Sequence, residues 1–338
     1  MSDPQMQQDK EAKVARELGF LSAIQDKLKS VEEKISDALA SDIPYVRETG
    51  TYVSQSGGKR MRPILLLLCS RLCGYGGTRD TDYACVVECI HAATLIHDDI
   101  IDQARIRRGK ESINSIFGDH VTVLIGDYLY LKAMKRALDL GNLEILHLLS
   151  DATLEMIGGE LIQLSKSGDA DMKEEEYFEI IRRKTAMMFY ACGRIAAILG
   201  EVSEEKKEAV GAYALNVGIA FQLVDDVLDF AGNEEVLGKP VNNDLREGKL
   251  TLPLIHLIQN GRPEDANKIR WILKKRDLSG MKQEDILEIL NQYGCLDYTL
   301  ARAVEFARKA NEHLGAFDDS DLKSHLVRLP EFILSRKF

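Results

Sequence analysis

Two short stretches carry the same arrangement of aspartates. "HDDIID" places Asp98, Asp99 and Asp102 within five positions, and "VDDVLD" places Asp225, Asp226 and Asp229 at the same spacing. Residues four apart on a helix project from one face, so Asp98 pairs with Asp102 and Asp225 with Asp229. Carboxylate oxygens without His or Cys suit a hard cation such as magnesium, which keeps several waters and bridges protein carboxylates to phosphate oxygens. These carboxylates alone would repel a phosphorylated ligand, whereas bound divalent ions would invert that field. The alternative is that each triad is a solvated helix face, the usual fate of an acidic run. Recurrence of the spacing, each time hard against an apolar run, favours a built site.

Basic clusters stand in the same chain. "SGGKRMRP" puts Lys59, Arg60 and Arg62 behind two glycines, with Pro63 suited to the first turn of a following helix. Flexible backbone, cations and a helix N-terminus together make an anion site. Arg107 and Arg108 follow the first triad by one turn, where guanidinium forks can grip phosphate oxygens. Lys184 with Thr185 in "RRKTAMMF", and Lys239 and Lys249 in a polar stretch, complete the set. Any one of these taken singly reads as surface charge; with the aspartates they read as a diphosphate site. His91 lies two helical turns before Asp98 on the same face, either as a core histidine or as a donor to an anion. Serine-elbow, His-rich, GxGxxG and P-loop patterns are absent, which removes support for serine hydrolase, zinc and nucleotide-binding readings.

The elements that must position these residues are helices. The 338-residue chain has seven prolines and none from 64 to 239, and within that interval apolar residues recur at three and four spacing. Breaks are expected at Gly109, Gly141, Gly168 and Gly200, and strand alternation is hard to find. Several runs are apolar nearly all round, the mark of central helices in a large bundle. The expectation is one all-α domain over residues 16–338, preceded by a loosely held segment, 1–15. Residues 231–253, polar and rich in Gly and Pro, are expected to form a functional loop. A net charge of -10 argues against nucleic acid as a partner. The six cysteines read as reduced core thiols, and the longest apolar stretch is far too short to span a membrane. With an N-terminus that fits neither a secretory nor a transit peptide, the expected location is the cytoplasm.

Over about residues 20–338 the chain resembles the trans-isoprenyl diphosphate synthases, the polyprenyl synthetase family, on "GGKRMRP", "HDDIID...RRG", "GGELIQL", "KTAMMF", "FQLVDDVLD" and "GKPVNNDLREGKLTLP" in that order. The resemblance implies an all-α bundle around a deep central cavity, acting as a homodimer. It implies head-to-tail condensation of isopentenyl diphosphate onto an allylic diphosphate. Asp98, Asp99, Asp102, Asp225, Asp226 and Asp229 would hold roughly three magnesium ions, with Asp244 as an additional carboxylate. Arg107, Lys184, Lys239 and Lys249 would bind the allylic diphosphate with help from Thr185 and Gln222. Lys59, Arg62, His91 and Arg108 would bind isopentenyl diphosphate. Asp98, Asp102, Lys184, Asp225 and Lys239 would be catalytic.

Within the family the chain is most similar to medium- and long-chain synthases that make quinone side chains, with transient membrane contact for product release. Ala93 and Thr94 lie one turn below the first triad, where short-chain relatives carry aromatic rings. Small residues there imply a long product, with octaprenyl expected and bulky residues on about 121–140 setting the limit. Farnesyl or geranylgeranyl synthase, and a non-catalytic subunit of a heteromeric synthase, are the alternatives.

Overall fold

The computed structural model describes residues 19, 21–55, 59–107, 109–232, 241–278 and 281–335. The expected loose segment 1–15, and the candidates Arg108 and Lys239, lie outside the described residues. The described part of the proline-free interval is mostly helical, as its periodicity predicts. In chain order the helices are α1 (Gln25–Leu39), α2 (Pro44–Gln55), α3 (Met61–Leu72), α4 (Arg79–Ile101), α5 (Ile113–Phe117), α6 (Asp119–Asp139), α7 (Leu143–Ser165) and α8 (Glu174–Ile181). They continue as α9 (Met187–Leu199), α10 (Glu204–Ala231), α11 (Asn243–Arg246), α12 (Leu252–Asn260), α13 (Pro263–Lys275), α14 (Gln283–Gln292), α15 (Cys295–His313) and α16 (Asp321–Leu334).

The runs that are apolar all round are central. Every residue of α3 from Met61 to Ser70 is buried, and α9 is buried along most of its length. Each fully buried leucine of Leu65–Leu68 contributes about 1.5–3 kcal/mol of transfer free energy. α10 packs against α9 and α15, α3 against α9, and α4 against α6, so the helices that end in the aspartate triads are held on several sides. α7 and α10 start on side-chain caps, Asn142 accepting from the Ile145 amide at 3.0 Å and Ser203 from the Lys206 amide at 3.4 Å. All six cysteines are buried free thiols.

Two local features depart from uninterrupted helix. Beyond α4 the chain reverses through Gln103, which has a φ of +51°, into a two-stranded antiparallel ribbon, β1 (Ile106–Arg107) against β2 (Lys110–Glu111). The ribbon is too short for alternation to announce it. The second is a π turn, Arg182–Ala186, inside what the periodicity reads as one helix. It carries Lys184 and Thr185, and single π turns are frequent at functional sites.

Two glycines let other helices close on that turn. A Cβ on Gly159 of α7 would lie 2.6 Å from the Lys184 amide nitrogen, and one on Gly218 of α10 would lie 2.8 Å from the Ala186 Cα. Backbone cannot yield as a flexible side chain can, so Gly159→Ala should cost about 1–3 kcal/mol of stability in a denaturant melt. The variant should also lose activity through displaced Lys184. Gly315→Ala, where nothing lies within 4 Å of the new methyl, is the control and should stay within about 0.5 kcal/mol. Equal stabilities for the two variants would refute the tight contact.

Candidate active site

α4, α6, α7, α10, the π turn and the segment after α10 surround a cavity of about 1630 Å³. Its wall includes Asp98, Asp102, Asp225, Asp226, Lys184 and Lys249. Lys59, Arg62, His91, Arg107, Thr185, Gln222, Ala93 and Thr94 also line it, so these residues from distant parts of the sequence meet at one site.

The two triads do not present all their members to it. Asp99 is 3% exposed and turned to Arg107, accepting from its Nε at 2.7 Å and from its Nη2 at 2.6 Å. Burial weakens that guanidinium's charge, but Asp99 more than reverses this and raises its pKa. Asp229 is fully buried: its Oδ2 accepts from the Asp244 amide at 3.2 Å and its carbonyl from the Asn242 amide at 2.7 Å. It fastens the returning segment to the end of α10. The equal spacing therefore conceals a division of labour: Asp98 and Asp102 face the cavity, as do Asp225 and Asp226, while Asp99 and Asp229 hold the frame.

The facing carboxylates are crowded. Burial pushes Asp98 up to about 6 against the pull of Lys184, with Glu160 and Asp102 adding to the rise. Asp226 rises to about 8, from burial first and then from Asp244, although Tyr177 and Gln222 donate to it. Lysines offset part of this. Lys249 Nζ donates to both oxygens of Asp102 at 2.9 Å and to Glu247 at 2.6 Å. Burial would discharge Lys249, but Glu247, Asp102 and Asp244 hold it charged well above its usual range. Lys184 pairs with Glu160 and donates to Gln163 at 2.6 Å, and Thr185 donates to Gln222 at 2.8 Å.

A second anion position lies on α3. Arg62 is 8% exposed, its guanidinium sits 5.0 Å from the Phe189 ring centroid, and its Nε has no hydrogen-bond partner. Burial pulls its pKa down, with the nearby Glu88 opposing. A buried cation of this kind on a cavity wall is fitted to an anion. Arg60, which clustered with it in sequence, is instead structural: it donates to Glu32 at 2.6 and 3.0 Å and to Glu88 at 2.7 Å. Lys59 is exposed, and His91 is half-buried.

The profile of the polyprenyl synthetase family matches residues 43–291. The chain is 38% identical over 306 residues to the octaprenyl diphosphate synthase of Escherichia coli K12, covering 90% of this chain and 94% of that one. It is 34% identical over 318 residues to the geranyl-diphosphate-specific all-trans-nonaprenyl-diphosphate synthase of Rhodobacter capsulatus, covering 94% and 97%. Among solved structures, a polyprenyl synthase of Caulobacter crescentus CB15 complexed with calcium and isoprenyl diphosphate superposes with a TM-score of 0.91 at 34% identity, covering 94% and 97%. The chain belongs to the polyprenyl synthetase family. Its relatives are prenyl diphosphate synthases, so it is a prenyltransferase on a helical isoprenoid-synthase fold.

For a polyprenyl synthetase the charge balance of the wall is informative. Among the described residues it holds nine acidic and nine basic side chains, so a diphosphate must bring its own countercharge. Also among the described residues, no three His, Cys, Asp or Glu side chains are grouped closely enough to hold an ion alone. Hard oxygens that face the cavity in pairs fit a divalent ion shared with substrate phosphate rather than caged by protein.

The sequence reading gave no role to Glu160, Gln163, Tyr177 or Glu247. Glu160 and Gln163 lie within "GGELIQL", far along the chain from their partner Lys184, while Glu247 pairs with Lys249 two positions on. Asp99 supplies the test of the geometry. Asp99→Asn removes a charge-assisted pair of about 1.5–3 kcal/mol and should raise the KM for the allylic substrate roughly ten-fold through Arg107. The metal requirement should be unchanged, whereas Asp98→Asn should raise it. A raised magnesium requirement in Asp99→Asn would return Asp99 to the metal-binding set.

Proposed function

We propose that the protein is a magnesium-dependent all-trans polyprenyl diphosphate synthase making a medium- to long-chain product, with octaprenyl diphosphate the favoured one, for quinone side chains in the cytoplasm. The observation that carries this reading is the cavity itself. At about 1630 Å³ it exceeds the roughly 300–1,000 Å³ of ordinary ligand pockets, and it runs past Ala93 and Thr94 below the first aspartates.

The chemistry follows from the wall. Arg107, Lys184, Lys249 and, in the segment outside the described residues, Lys239 bind the allylic diphosphate, with Thr185 and Gln222 orienting it. Lys59, Arg62, His91 and, also outside the described residues, Arg108 bind isopentenyl diphosphate, whose double bond is the nucleophile. Asp98, Asp102, Asp225 and Asp226 would hold roughly three magnesium ions, which neutralise diphosphate charge and make it a better leaving group. Departure of pyrophosphate leaves an allylic cation, which the apolar cavity wall shields from water. The isopentenyl double bond attacks it, and a proton leaves to pyrophosphate, giving an allylic diphosphate one isoprene unit longer. The new chain then enters the cavity past Ala93.

A second copy of the chain is proposed as partner. On α6, Leu124, Leu131 and Leu138 recur every seventh residue and are 68%, 65% and 55% exposed. On α7, Leu154 is also exposed, whereas Ile157, Leu161 and Leu164 line the cavity. Contiguous apolar faces of this kind mark protein interfaces. No helix among the described residues is long and apolar enough to cross a membrane.

The deciding experiment incubates the protein with an allylic diphosphate, labelled isopentenyl diphosphate and magnesium, then sizes the dephosphorylated products by chromatography. Octaprenol should dominate. Chelation should abolish turnover and magnesium should restore it; activity in excess chelator would sink the metal reading. Ala93→Tyr should shorten products to roughly the fifteen- to twenty-carbon range by steric exclusion. Tyr130→Ala, on the wall from α6, should lengthen them. Unchanged product length in both folded, active variants would mean the chain runs elsewhere. Leu131→Asp should convert a dimer to monomer by light scattering, and an intact dimer would place the interface on another face.

A further inference from the structure

Tyr177 does not line the main cavity, yet it reaches the second aspartate stretch from behind. It is 3% exposed on α8, and its hydroxyl donates to Asp226 Oδ2 at 2.6 Å across 49 residues of sequence. The other oxygen, Oδ1, accepts from Gln222 Nε2 at 2.7 Å. Gln222 has no freedom to turn its amide, because its Oε1 accepts from Thr185 on the π turn at 2.8 Å. Both oxygens of Asp226 are thus held by donors, one from α8 and one from its own helix. Both contacts are short and charge-assisted when Asp226 is ionised.

The phenol is itself fixed. Its ring meets Phe178 edge-on, with centroids 5.4 Å apart, and Phe178 meets Phe306 at 5.4 Å. Beside Tyr177 is a separate polar chamber of about 90 Å³, lined by Asp226, Asp244, Lys184, Lys249 and Thr251 among others. That volume accommodates several waters. It is also room into which an Asp226 carboxylate released from one donor can rotate. Asp244 lines this chamber too, and Asp225, Asp226 and Asp244 all line the main cavity beside it, so the orientation of Asp226 bears on the spacing of three carboxylates there.

We propose that Tyr177 is a positioning residue for the metal-bearing side of the cavity, holding Asp226 so that Asp225, Asp226 and Asp244 keep one geometry toward a magnesium–diphosphate complex. This role rests on the functional reading above. It assigns Tyr177 no contact with substrate and no part in proton transfer.

The test is a magnesium titration of wild type and Tyr177→Phe in the presence of inorganic pyrophosphate, read as the rise in melting midpoint without turnover. The half-saturating magnesium concentration should rise about five- to twenty-fold in Tyr177→Phe, the scale of one lost charge-assisted hydrogen bond. In steady-state assays kcat should fall by a similar factor, while the KM for isopentenyl diphosphate should stay within about two-fold because Arg62 is untouched. Gln222→Leu should act in the same direction, and the double variant should lose less than the product of the two, since both act on one carboxylate. If Tyr177→Phe does not fold, Tyr177→Met refills the space without the hydroxyl and is read by the same titration. A wild type whose melting does not respond to magnesium with pyrophosphate would overturn the functional reading and this role with it. A responsive wild type with an unshifted half-point in the Tyr177 variant would overturn the role alone.

Discussion

Carboxylates held together out of water repel one another, and the wall of this cavity is arranged around that repulsion. Asp98 and Asp226 carry pKa values of about 6 and about 8 because burial and neighbouring acids oppose their ionisation. Further carboxylates near them are met by basic donors: Asp102 and Glu247 by Lys249, Glu160 by Lys184, Asp99 by Arg107. Removing one partner from a buried pair costs roughly 3–5 kcal/mol because the survivor is left charged and uncompensated. These pairs therefore help fix how the elements they join sit against one another. Lys249 ties the segment after α10 to the end of α4 across 147 residues.

Positioning the cations demands backbone that helix periodicity does not describe. The π turn adds one residue to the circuit between α8 and α9 and brings Lys184 and Thr185 to the cavity wall. An uninterrupted helix would carry these two side chains round by about one residue, roughly 100°. Gly159 and Gly218 then permit α7 and α10 to close on the turn, so Glu160 and Gln163 can reach Lys184 and Gln222 can reach Thr185. The π turn is thus supported by two close backbone contacts and three polar ones.

The all-helical fold was legible because proline is absent from a long interval and apolar residues keep helical spacing across it. Asp98 and Asp102 were legible because i and i+4 share a helix face, whereas the same rule paired Asp225 with Asp229, and it is Asp226 that joins Asp225 on the cavity wall. What the spacing could not resolve is which member of each triad turns inward: Asp99 and Asp102 differ only in the partner that tertiary packing brings, Arg107 for one and Lys249 for the other. Arg60 and Arg62 pose the same problem two positions apart, one spent on Glu32 and Glu88, the other left over the Phe189 ring. Tyr177 was invisible for a related reason. A lone tyrosine in an amphipathic helix carries no signal until its hydroxyl is seen beside an aspartate 49 residues away. The short β ribbon and the π turn fell below the length at which periodicity speaks.

Charge balance also bears on how the wall would receive an anionic ligand. Nine acidic and nine basic side chains among the described wall residues leave little net field to attract a free diphosphate. Several of the lysines and arginines that would bind phosphate oxygens already donate to carboxylates, so a bare diphosphate must compete with Asp102, Glu160 and Asp99 for them. Such an exchange leaves each displaced carboxylate buried and unpaired, a cost of several kcal/mol per group. A diphosphate that arrives with divalent cations would remove that cost at Asp102, which faces the cavity and would take an ion in place of Lys249. In the proposed reading, the part of the cavity beginning at Ala93 and Thr94 would then sort ligands by length.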